Sequence, residues 1–312
     1  MSGDILVIGS ANMDVFINTP RLPAAGENSF GTSLELLPGG KGANQAVALA
    51  RLGAAVRFSA KIGQDFFGAE LLKVLSGEKI DTSAVFRDAQ TATGVAFIIV
   101  EANGANRIIV LPGANMAYGE AEIAHIRPDI ESAAALLLQL EIPIESIARL
   151  IAIAKARSIP VIVDAGPAQR VPLELFEGVA ILSPNETEAA ALTGIPVVDL
   201  ASAEAACKVL RTSGAAVVVI KLGDKGALVG DEQGVRHYPA YRIQAVDTTA
   251  AGDAFTAAMA WRYSRGDDID ASVRFANAVG ALSATKPGSL VSLPFEREVT
   301  AFLAVNGGGE VR

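Results

Sequence analysis

Short apolar stretches alternate with amphipathic stretches along most of this chain, and this alternation constrains the fold more than any other feature. Stretches with strand character, rich in Val, Ile and Leu, occupy residues 5–9, 56–62, 134–140, 161–164, 179–183 and 216–222. Stretches with helical spacing occupy residues 41–52, 68–75, 143–157, 187–192 and 201–213. Because the strands are continuously apolar, we expect helices to cover both faces of their sheet. The sequence therefore predicts an α/β fold with a doubly wound, mostly parallel sheet.

Two segments break this alternation, at about residues 15–37 and about residues 93–111. Both show polar alternation and turn residues, and the second reads as a hairpin of residues 95–101 and 106–110 around residues 102–105. We therefore expect one α/β domain over residues 1–312, with a small β-sheet lid formed by these two insertions. The alternative is an ordinary decorated edge of the main sheet. Exposed strand edges in the lid favour a homodimer through it, and residues 306–312 look like a frayed tail.

Composition removes several classes of function. The 312 residues carry a net charge of −8 without a basic block, so nucleic acid is not an expected partner. Apolar runs such as residues 215–220 are far too short to span a membrane, and no signal-peptide pattern is present, so we expect a cytoplasmic protein. The single cysteine, Cys207, and the two distant histidines, His125 and His237, disfavour a disulfide, a zinc site or a Ser-His-Asp triad. If the chain is an enzyme, its base is expected to be a carboxylate.

Residues 247–253, with the sequence DTTAAGD, carry the strongest chemical signal. A helical pattern follows at once, so Ala250, Ala251 and Gly252 are expected to leave their backbone N–H groups uncovered at a helix N-terminus, where anions bind well. Asp253 places a proton acceptor beside this anion hole. The combination indicates transfer of a charged group onto a hydroxyl. The alternative is an Asp that stabilises the first turn of a core helix.

Two segments near the N-terminus offer groups for a polyol. In residues 38–45, PGGKGANQ, paired glycines permit close approach of the backbone to a ligand, and Lys41 and Asn44 offer polar tips; the alternative is a plain turn. No P-loop motif occurs here or elsewhere in the chain. Asn12 and Asp14 follow the first strand, where open α/β sheets bind ligands; the alternative is an Asx turn.

Two later segments suggest a nucleotide. In residues 183–188, SPNETE, Asn185 and the acidic side chains suit a nucleotide phosphate and its magnesium ion; the alternative is a helix N-cap with acidic residues behind it. In residues 221–227, KLGDKGA, two glycines bracket a tight loop after an apolar strand. That loop either wraps a nucleotide or forms a hairpin.

Each segment is weak alone, but together and in this order they resemble the pfkB-type, ribokinase-like family of sugar and nucleoside kinases. Residues 39–44 and 247–253 match the two signatures of that family, and the resemblance extends from about residue 5 to about residue 302. Residues 12–14, 113–115, 139–141, 183–188 and 244–248 add finer similarities. The resemblance implies transfer of the γ-phosphoryl group of ATP, with Mg²⁺, to O5 of D-ribose.

The resemblance also assigns roles by position. The implied catalytic base is Asp253, and the implied anion hole is formed by Ala250, Ala251 and Gly252. The implied sugar contacts are Asn12, Asp14, Gly40, Lys41, Asn44, Glu141 and Asp253. The implied nucleotide contacts are Asn185, Lys221, Gly223, Asp224, Gly226, Gly252 and Asn277, the last standing where a histidine is expected in some members. An activating K⁺ ion would be held by Asp247, Thr249, Ser283, Lys286, Gly288 and Ser292, several of them through backbone carbonyls.

Three other functions are weighed against ribose phosphorylation. A pfkB-type kinase of deoxyribose, fructose, a keto-deoxy sugar acid or a nucleoside would share the same signatures. A non-catalytic sugar or nucleotide sensor would share the fold, but the intact base and anion hole count against it. A dinucleotide-dependent oxidoreductase is disfavoured because no G-x-G-x-x-G motif follows the first strand.

Overall fold

A computed structural model describes residues 4–103 and 105–306, apart from the side chain of Asn106. The strands are β1 Ile5–Ile8, β2 Asn12–Thr19, β3 Ser33–Gly39, β4 Val56–Gly63, β5 Asp81–Asp88, β6 Gly94–Glu101, β7 Asn106–Leu111, β8 Ala135–Gln139, β9 Val161–Asp164, β10 Ile181–Ser183, β11 Val217–Lys221, β12 Ala227–Asp231 and β13 Gly234–Tyr238. The helices are α1 Lys41–Arg51, α2 Phe66–Gly77, α3 Glu120–Ser132, α4 Ile144–Ala156, α5 Glu186–Thr193, α6 Leu200–Arg211, α7 Ala251–Ser264, α8 Ile269–Ala284 and α9 Glu296–Asn306. Gly104 of the expected hairpin turn and residues 307–312 of the expected tail lie outside the described residues.

The main sheet has nine strands in the order β13-β12-β11-β10-β9-β8-β1-β4-β5. Its pairs from β11 to β5 are parallel, whereas β12 and β13 add an antiparallel edge. Side chains of β1 alternate between two cores: Ile5 and Val7 pack in one and Leu6 and Ile8 in the other. Helices therefore cover both faces, and the predicted fold class is confirmed. Within the described part of the chain, none of the helices is long and apolar enough to cross a membrane.

A second, four-stranded sheet has the order β3-β2-β6-β7 and is called the lid below. The predicted hairpin is present, because β6 and β7 pair antiparallel. The alternative interpretation of Asn12 and Asp14 as an Asx turn is wrong, since both residues lie in β2. Asn12 pairs with Gly39 of β3 and with Gly94 of β6, so the lid begins three positions earlier than the sequence suggested.

The sequence interpretation missed β5, β13, α3, α8 and α9. The edge strand β5 buries only Ala84, so it lacks the apolar run of a central strand. Helix α3 contains Pro128 and several charged residues, which obscure its helical spacing. Exposure weakens the hydrophobic pattern of β5, β13 and α9, whereas α8 is largely buried and its small side chains leave no clear apolar stripe.

Polar residues end four neighbouring strands at the same edge of the main sheet. They are Gln139 of β8, Asp164 of β9, Ser183 of β10 and Lys221 of β11. Helices α1 and α7 pack against each other above this edge, and the residues of their first turns are largely buried. The carboxyl edge, where open α/β sheets bind ligands, is thus lined with polar groups in fixed positions.

Candidate active site

Asp253 lies at the centre of the polar groups, in the first turn of α7, with 5 % of its surface exposed. The Asn44 amide donates to Asp253 Oδ2 at 2.9 Å, and the Gln45 amide donates to Oδ1 at 3.2 Å. Lys41 Nζ lies 3.7 Å from the same Oδ1. All three partners belong to the first turns of α1, although Asn44 is 209 positions from Asp253 in the sequence. The structure therefore brings the two sequence signatures into direct contact.

The start of α7 presents fewer free N–H groups than the sequence suggested. Ala250 adopts the left-handed conformation, with φ of 60°, and this tight turn lets the Ala251 N–H donate to the Thr248 carbonyl at 3.1 Å. The expectation of three uncovered N–H groups is therefore wrong for Ala251. Within the described residues, the N–H groups of Ala250 and Gly252 donate to no acceptor. Lys221 lies close to this helix end, because a Cβ added to Gly252 would be 3.9 Å from Lys221 Nζ.

Two further carboxylates, Asp14 and Glu141, lie near Asp253. Glu141 Oε2 accepts hydrogen bonds from the Lys41 N–H at 3.0 Å and from the Ser10 hydroxyl. Burial raises the pKa of Glu141 above its ordinary value. Burial, reinforced by the charges of Glu141 and Asp253, raises the pKa of Asp14 to about 7. The three carboxylates thus form a group of acceptors suited to sugar hydroxyls.

The paired glycines of the first signature are needed because strand β2 passes close to the end of β3 and the start of α1. A Cβ at Gly39 would lie 2.2 Å from Asp14 Oδ2. Gly40 has φ of 88°, and a Cβ there would lie 2.9 Å from the Asn12 backbone nitrogen. The close approach expected of a ligand is therefore made by strand β2 of the chain itself, which carries Asn12 and Asp14 to the site.

Asn115 fixes the orientation of Asn12. Its Nδ2 donates to Asn12 Oδ1 at 2.7 Å, while its Oδ1 accepts from the Ala11 N–H at 3.0 Å. The Nδ2 group of Asn12 is therefore available to donate a hydrogen bond to a partner other than Asn115. Sequence reasoning included residues 113–115 in the resemblance but assigned Asn115 no role.

Asp164 is the centre of a second buried group that sequence reasoning missed. Its Oδ2 accepts from Lys221 Nζ at 2.9 Å and from the Thr256 hydroxyl at 2.9 Å. Burial opposes ionisation, but the charges of Lys221 and Lys41 outweigh it and lower the pKa of Asp164. The available signal was an acidic residue at the end of an apolar strand, the position where ligands of open α/β sheets bind.

Lys41 joins the two groups. Its Nζ lies 4.0 Å from Asp164 Oδ1 and 3.9 Å from Glu188 Oε1, in addition to its contact with Asp253. Burial alone would lower the pKa of Lys41, but the surrounding carboxylates, led by Asp253, raise it above its ordinary value. Burial raises the pKa of Glu188. Lys41 is therefore a firmly charged cation among several acids.

The expected nucleotide contacts are only partly gathered around Asp253. Residues 221–226 connect the antiparallel strands β11 and β12, so the hairpin interpretation describes their geometry correctly. Asn185 caps α5 and accepts from the Glu188 N–H at 2.8 Å, as the N-cap interpretation predicted. Asn277 Nδ2 lies 3.3 Å from the carbonyls of Tyr238 and Pro239, which it helps to hold. Of the expected nucleotide contacts, Lys221 and Gly252 reach the central cluster.

The residues expected to bind a monovalent cation form two hydrogen-bonded groups. Asp247 Oδ1 accepts from the Thr249 N–H at 2.9 Å, and its Oδ2 accepts from the Gly288 N–H at 2.9 Å. Ser283 and Ser292 share a hydrogen bond of 3.0 Å. Lys286 directs its side chain to Glu298, so only its carbonyl is available to a cation. Among the described residues there is no cluster of three or more His, Cys, Asp or Glu side chains suited to a metal ion.

Comparison with known proteins agrees with this geometry. Residues 2–296 match the model of the pfkB family carbohydrate kinases. The chain is 38 % identical to the ribokinase of Haemophilus influenzae, over 97 % of this chain and 99 % of the relative. It is 35 % identical to the deoxyribokinase of Salmonella typhi, again over 97 % and 99 %. The solved structure of Arabidopsis thaliana ribokinase complexed with ribose and ATP superposes with a TM-score of 0.92 at 33 % identity, over 97 % of this chain and 99 % of that one.

The match covers nearly the whole chain, and the relatives are matched over nearly their whole length. Both sequence signatures also meet at Asp253 in the structure. The chain therefore belongs to the pfkB family of carbohydrate kinases.

Proposed function

We propose that this protein transfers the γ-phosphoryl group of ATP to O5 of D-ribose, giving D-ribose 5-phosphate and ADP. The observation that carries the proposal is the buried carboxylate of Asp253, held by Asn44 and Gln45 at the N-terminus of α7. A proton acceptor and uncovered N–H groups lie side by side there, as transfer of a phosphoryl group to a hydroxyl requires. Full-length similarity to ribokinases supports the choice of sugar.

In the proposed reaction, Asp253 orients O5 of the sugar and accepts its proton. A bond forms between O5 and the γ-phosphorus as the bond to the ADP oxygen breaks. Phosphoryl transfer has a loose transition state, so positioning and charge stabilisation dominate. The N–H groups of Ala250 and Gly252, together with Lys221, would stabilise charge on the transferred group.

The negative charges around the expected sugar contacts favour a neutral substrate. Asp14, Glu141 and Asp253 influence one another electrostatically, and Lys41 is the cation among them. A keto-deoxy sugar acid would bring a further negative charge to this group, at a cost in binding. This argument ranks ribose, deoxyribose and fructose above a sugar acid.

Deoxyribose is the second candidate, because a Salmonella relative named deoxyribokinase is nearly as similar as the ribokinases. The two sugars differ by the 2-hydroxyl. Asn12, oriented by Asn115, and Asp14 offer polar partners for that group. A site built to bond a hydroxyl discriminates strongly against a substrate that lacks it.

The residues present fit the two proposed cations. Mg²⁺ is commonly held by substrate phosphates and one or two carboxylates, so it would arrive with ATP. The carboxylate of Asp247 and the carbonyls around Gly288 offer the oxygen ligands that a hard cation such as K⁺ prefers. When bound, K⁺ would add positive charge to the loop that leads into α7.

The lid is proposed to mediate a homodimer. It exposes apolar side chains on both of its outer strands, including Leu34 at 62 % and Ile109 at 58 % exposure. Exposed apolar side chains on edge strands favour pairing with another chain. Ile109→Asp is therefore expected to halve the molar mass measured by light scattering.

Two further features stay predictions: that residues 1–312 form one kinase domain, and that the protein is located in the cytoplasm.

The test of the proposed function is ATP consumption across ribose, 2-deoxyribose, fructose, a keto-deoxy sugar acid and a nucleoside, each with and without K⁺. We expect the highest kcat/KM with ribose and an increase with K⁺. A higher value with 2-deoxyribose would replace ribose by the second candidate. Failure of every sugar to stimulate ATP consumption would leave a non-catalytic sensor as the better interpretation.

A further inference from the structure

The amide of Gln45 has a single orientation imposed by its surroundings. Its Nε2 lies 3.2 Å from Asp253 Oδ1 and 3.1 Å from Asp164 Oδ2. Its Oε1 accepts from Gln139 Nε2 at 2.6 Å. The reversed amide would place an oxygen against two carboxylates, which supply no donor when ionised. Gln45 is therefore held with its donor end toward both acids.

This amide links the two charged groups of the site. Asp164 Oδ2 also binds Lys221 Nζ, so one nitrogen of Gln45 connects Asp253 with the Asp164–Lys221 pair. Gln45 is fully buried, at 0 % exposure, and cannot reach a substrate. Asn44, the other amide on Asp253, is an expected sugar contact. Gln45 is thus the partner of Asp253 whose hydrogen bond does not compete with substrate.

Gln139 makes this arrangement at a cost. Its Nε2 is directed to Gln45, while its Oε1 is buried without a hydrogen-bond partner in the described structure. An unsatisfied buried carbonyl oxygen is destabilising, and few are found in native proteins. The donor end of Gln139 is thus committed to Gln45, and this bond fixes the Gln45 amide beside Asp253.

We propose that Gln45 is a positioning residue that holds the Asp253 carboxylate in line with the Asp164–Lys221 pair, and that Gln139 fixes Gln45. This inference rests on the proposed kinase reaction, in which Asp253 must be aimed at the sugar hydroxyl. Small misplacement of a reacting group reduces the rate strongly. Gln45 therefore acts on kcat through Asp253 rather than on the affinity for ATP.

The test is a double-mutant cycle. Gln45→Met keeps the length of the side chain and removes the donor, so kcat should fall roughly 10- to 100-fold with the KM for ATP unchanged. In an Asp253→Asn background the same substitution should cause no further loss. Gln139→Met, which only releases Gln45, should cause a smaller loss that also disappears in that background. Ser272→Ala removes a buried hydroxyl on α8 and is the matched control, with wild-type kcat expected.

The proposal would be overturned if Gln45→Met kept the wild-type kcat. It would also be overturned if Gln45→Met lowered kcat by the same factor in the wild-type and the Asp253→Asn backgrounds. A second readout does not require turnover. The free energies of unfolding of wild type, Gln45→Met, Asp253→Asn and the double variant give the coupling between positions 45 and 253, which should differ from zero. The corresponding cycle for Ser272→Ala and Asp253→Asn should give a coupling of zero. A wild type without sugar kinase activity would refute the proposed function, while this coupling would still decide whether Gln45 holds Asp253.

Discussion

The two halves of the candidate site are built differently. The sugar-side cluster is defined as Asp14, Lys41, Asn44, Glu141 and Asp253. Hydrogen bonds and an ion pair join the last four of these residues across segments that are distant in the sequence, and Asp14 lies within electrostatic reach of Glu141 and Asp253. The nucleotide-side loop, residues 221–226, exposes Gly223, Asp224 and Lys225. Beyond its internal turns, its exposed part is tied to the rest of the fold through Lys225, which bonds the Val198 carbonyl and the His237 ring. Lys221, at the start of the loop, is buried and bonds Asp164, which in turn lies against Lys41 of the cluster.

This difference has a consequence for binding. A buried cluster whose members are joined across distant segments keeps its geometry without a ligand, whereas an exposed loop can adjust when a ligand arrives. We infer that the sugar-side cluster is complete before the nucleotide binds. Substitutions in the cluster should therefore have large effects, and substitutions in the loop should have small ones.

The largest effect is expected for Asp253→Asn. The amide keeps the shape of the side chain but cannot accept the sugar proton, so kcat should fall by about 10² or more. The measurement is steady-state turnover with ribose and ATP, with circular dichroism and thermal unfolding as checks on the fold. Near-normal turnover would remove Asp253 from the role of base.

The second prediction concerns stability and pH, through Asp14→Asn. Asp14 has a pKa of about 7 in the folded protein, above its ordinary 3.8. Between these two pH values the folded protein keeps a proton on Asp14 that the unfolded chain has already released. The free energy of unfolding therefore falls as pH rises from 3.8 to about 7. Above about pH 7 it stays lowered by the full cost of ionising this buried carboxyl group. Asp14→Asn should raise the free energy of unfolding by about 1–3 kcal/mol at pH 8, with the gain vanishing near pH 4.

The matched control for this pH effect is Asp65→Asn, which should show the opposite sign. Hydrogen bonds from Thr93 and Gly68 overcome the effect of burial and lower the pKa of Asp65. Its stabilisation is present at neutral pH and is lost in acid, so the substitution should lower stability at pH 8. Urea unfolding at several pH values measures both. An Asp14→Asn gain that does not change with pH would contradict the electrostatic account.

The third prediction is Glu141→Gln. Glu141 accepts from the Lys41 N–H and the Ser10 hydroxyl, and its loss of charge weakens the acceptor group around the sugar. The KM for ribose should rise roughly tenfold, the size expected from one weakened charged hydrogen bond. The KM for ATP should not change. An equal rise in both constants would indicate that the two halves are not separate.

The smallest effect is expected for Asp224→Asn in the nucleotide-side loop. The side chain is exposed, and single exposed charges contribute little to binding or stability. The KM for ATP should change less than about threefold, with kcat unaffected. A loss as large as that of Asp253→Asn would reverse the comparison between cluster and loop.

The sequence predicted the sheet, the lid and the signature residues because these leave local patterns. It did not predict Gln45, Gln139 or Asp164, whose partners lie far away in the chain: Gln45 is 119 positions from Asp164 and 94 from Gln139. Buried polar contacts of this kind depend on tertiary packing and have no periodicity. An Asx turn at Asn12 stayed an alternative because β2 begins only a few residues after β1, without a clear break in the sequence.

The most direct test of the central claim is titration of ribose into the nucleotide-free protein by calorimetry, with Glu141→Gln as the comparison. We predict that ribose binds without ATP and that the variant binds it more weakly by roughly tenfold. Binding of ribose only after a non-hydrolysable ATP analogue has been added would contradict the claim that the sugar-side cluster is complete before the nucleotide arrives.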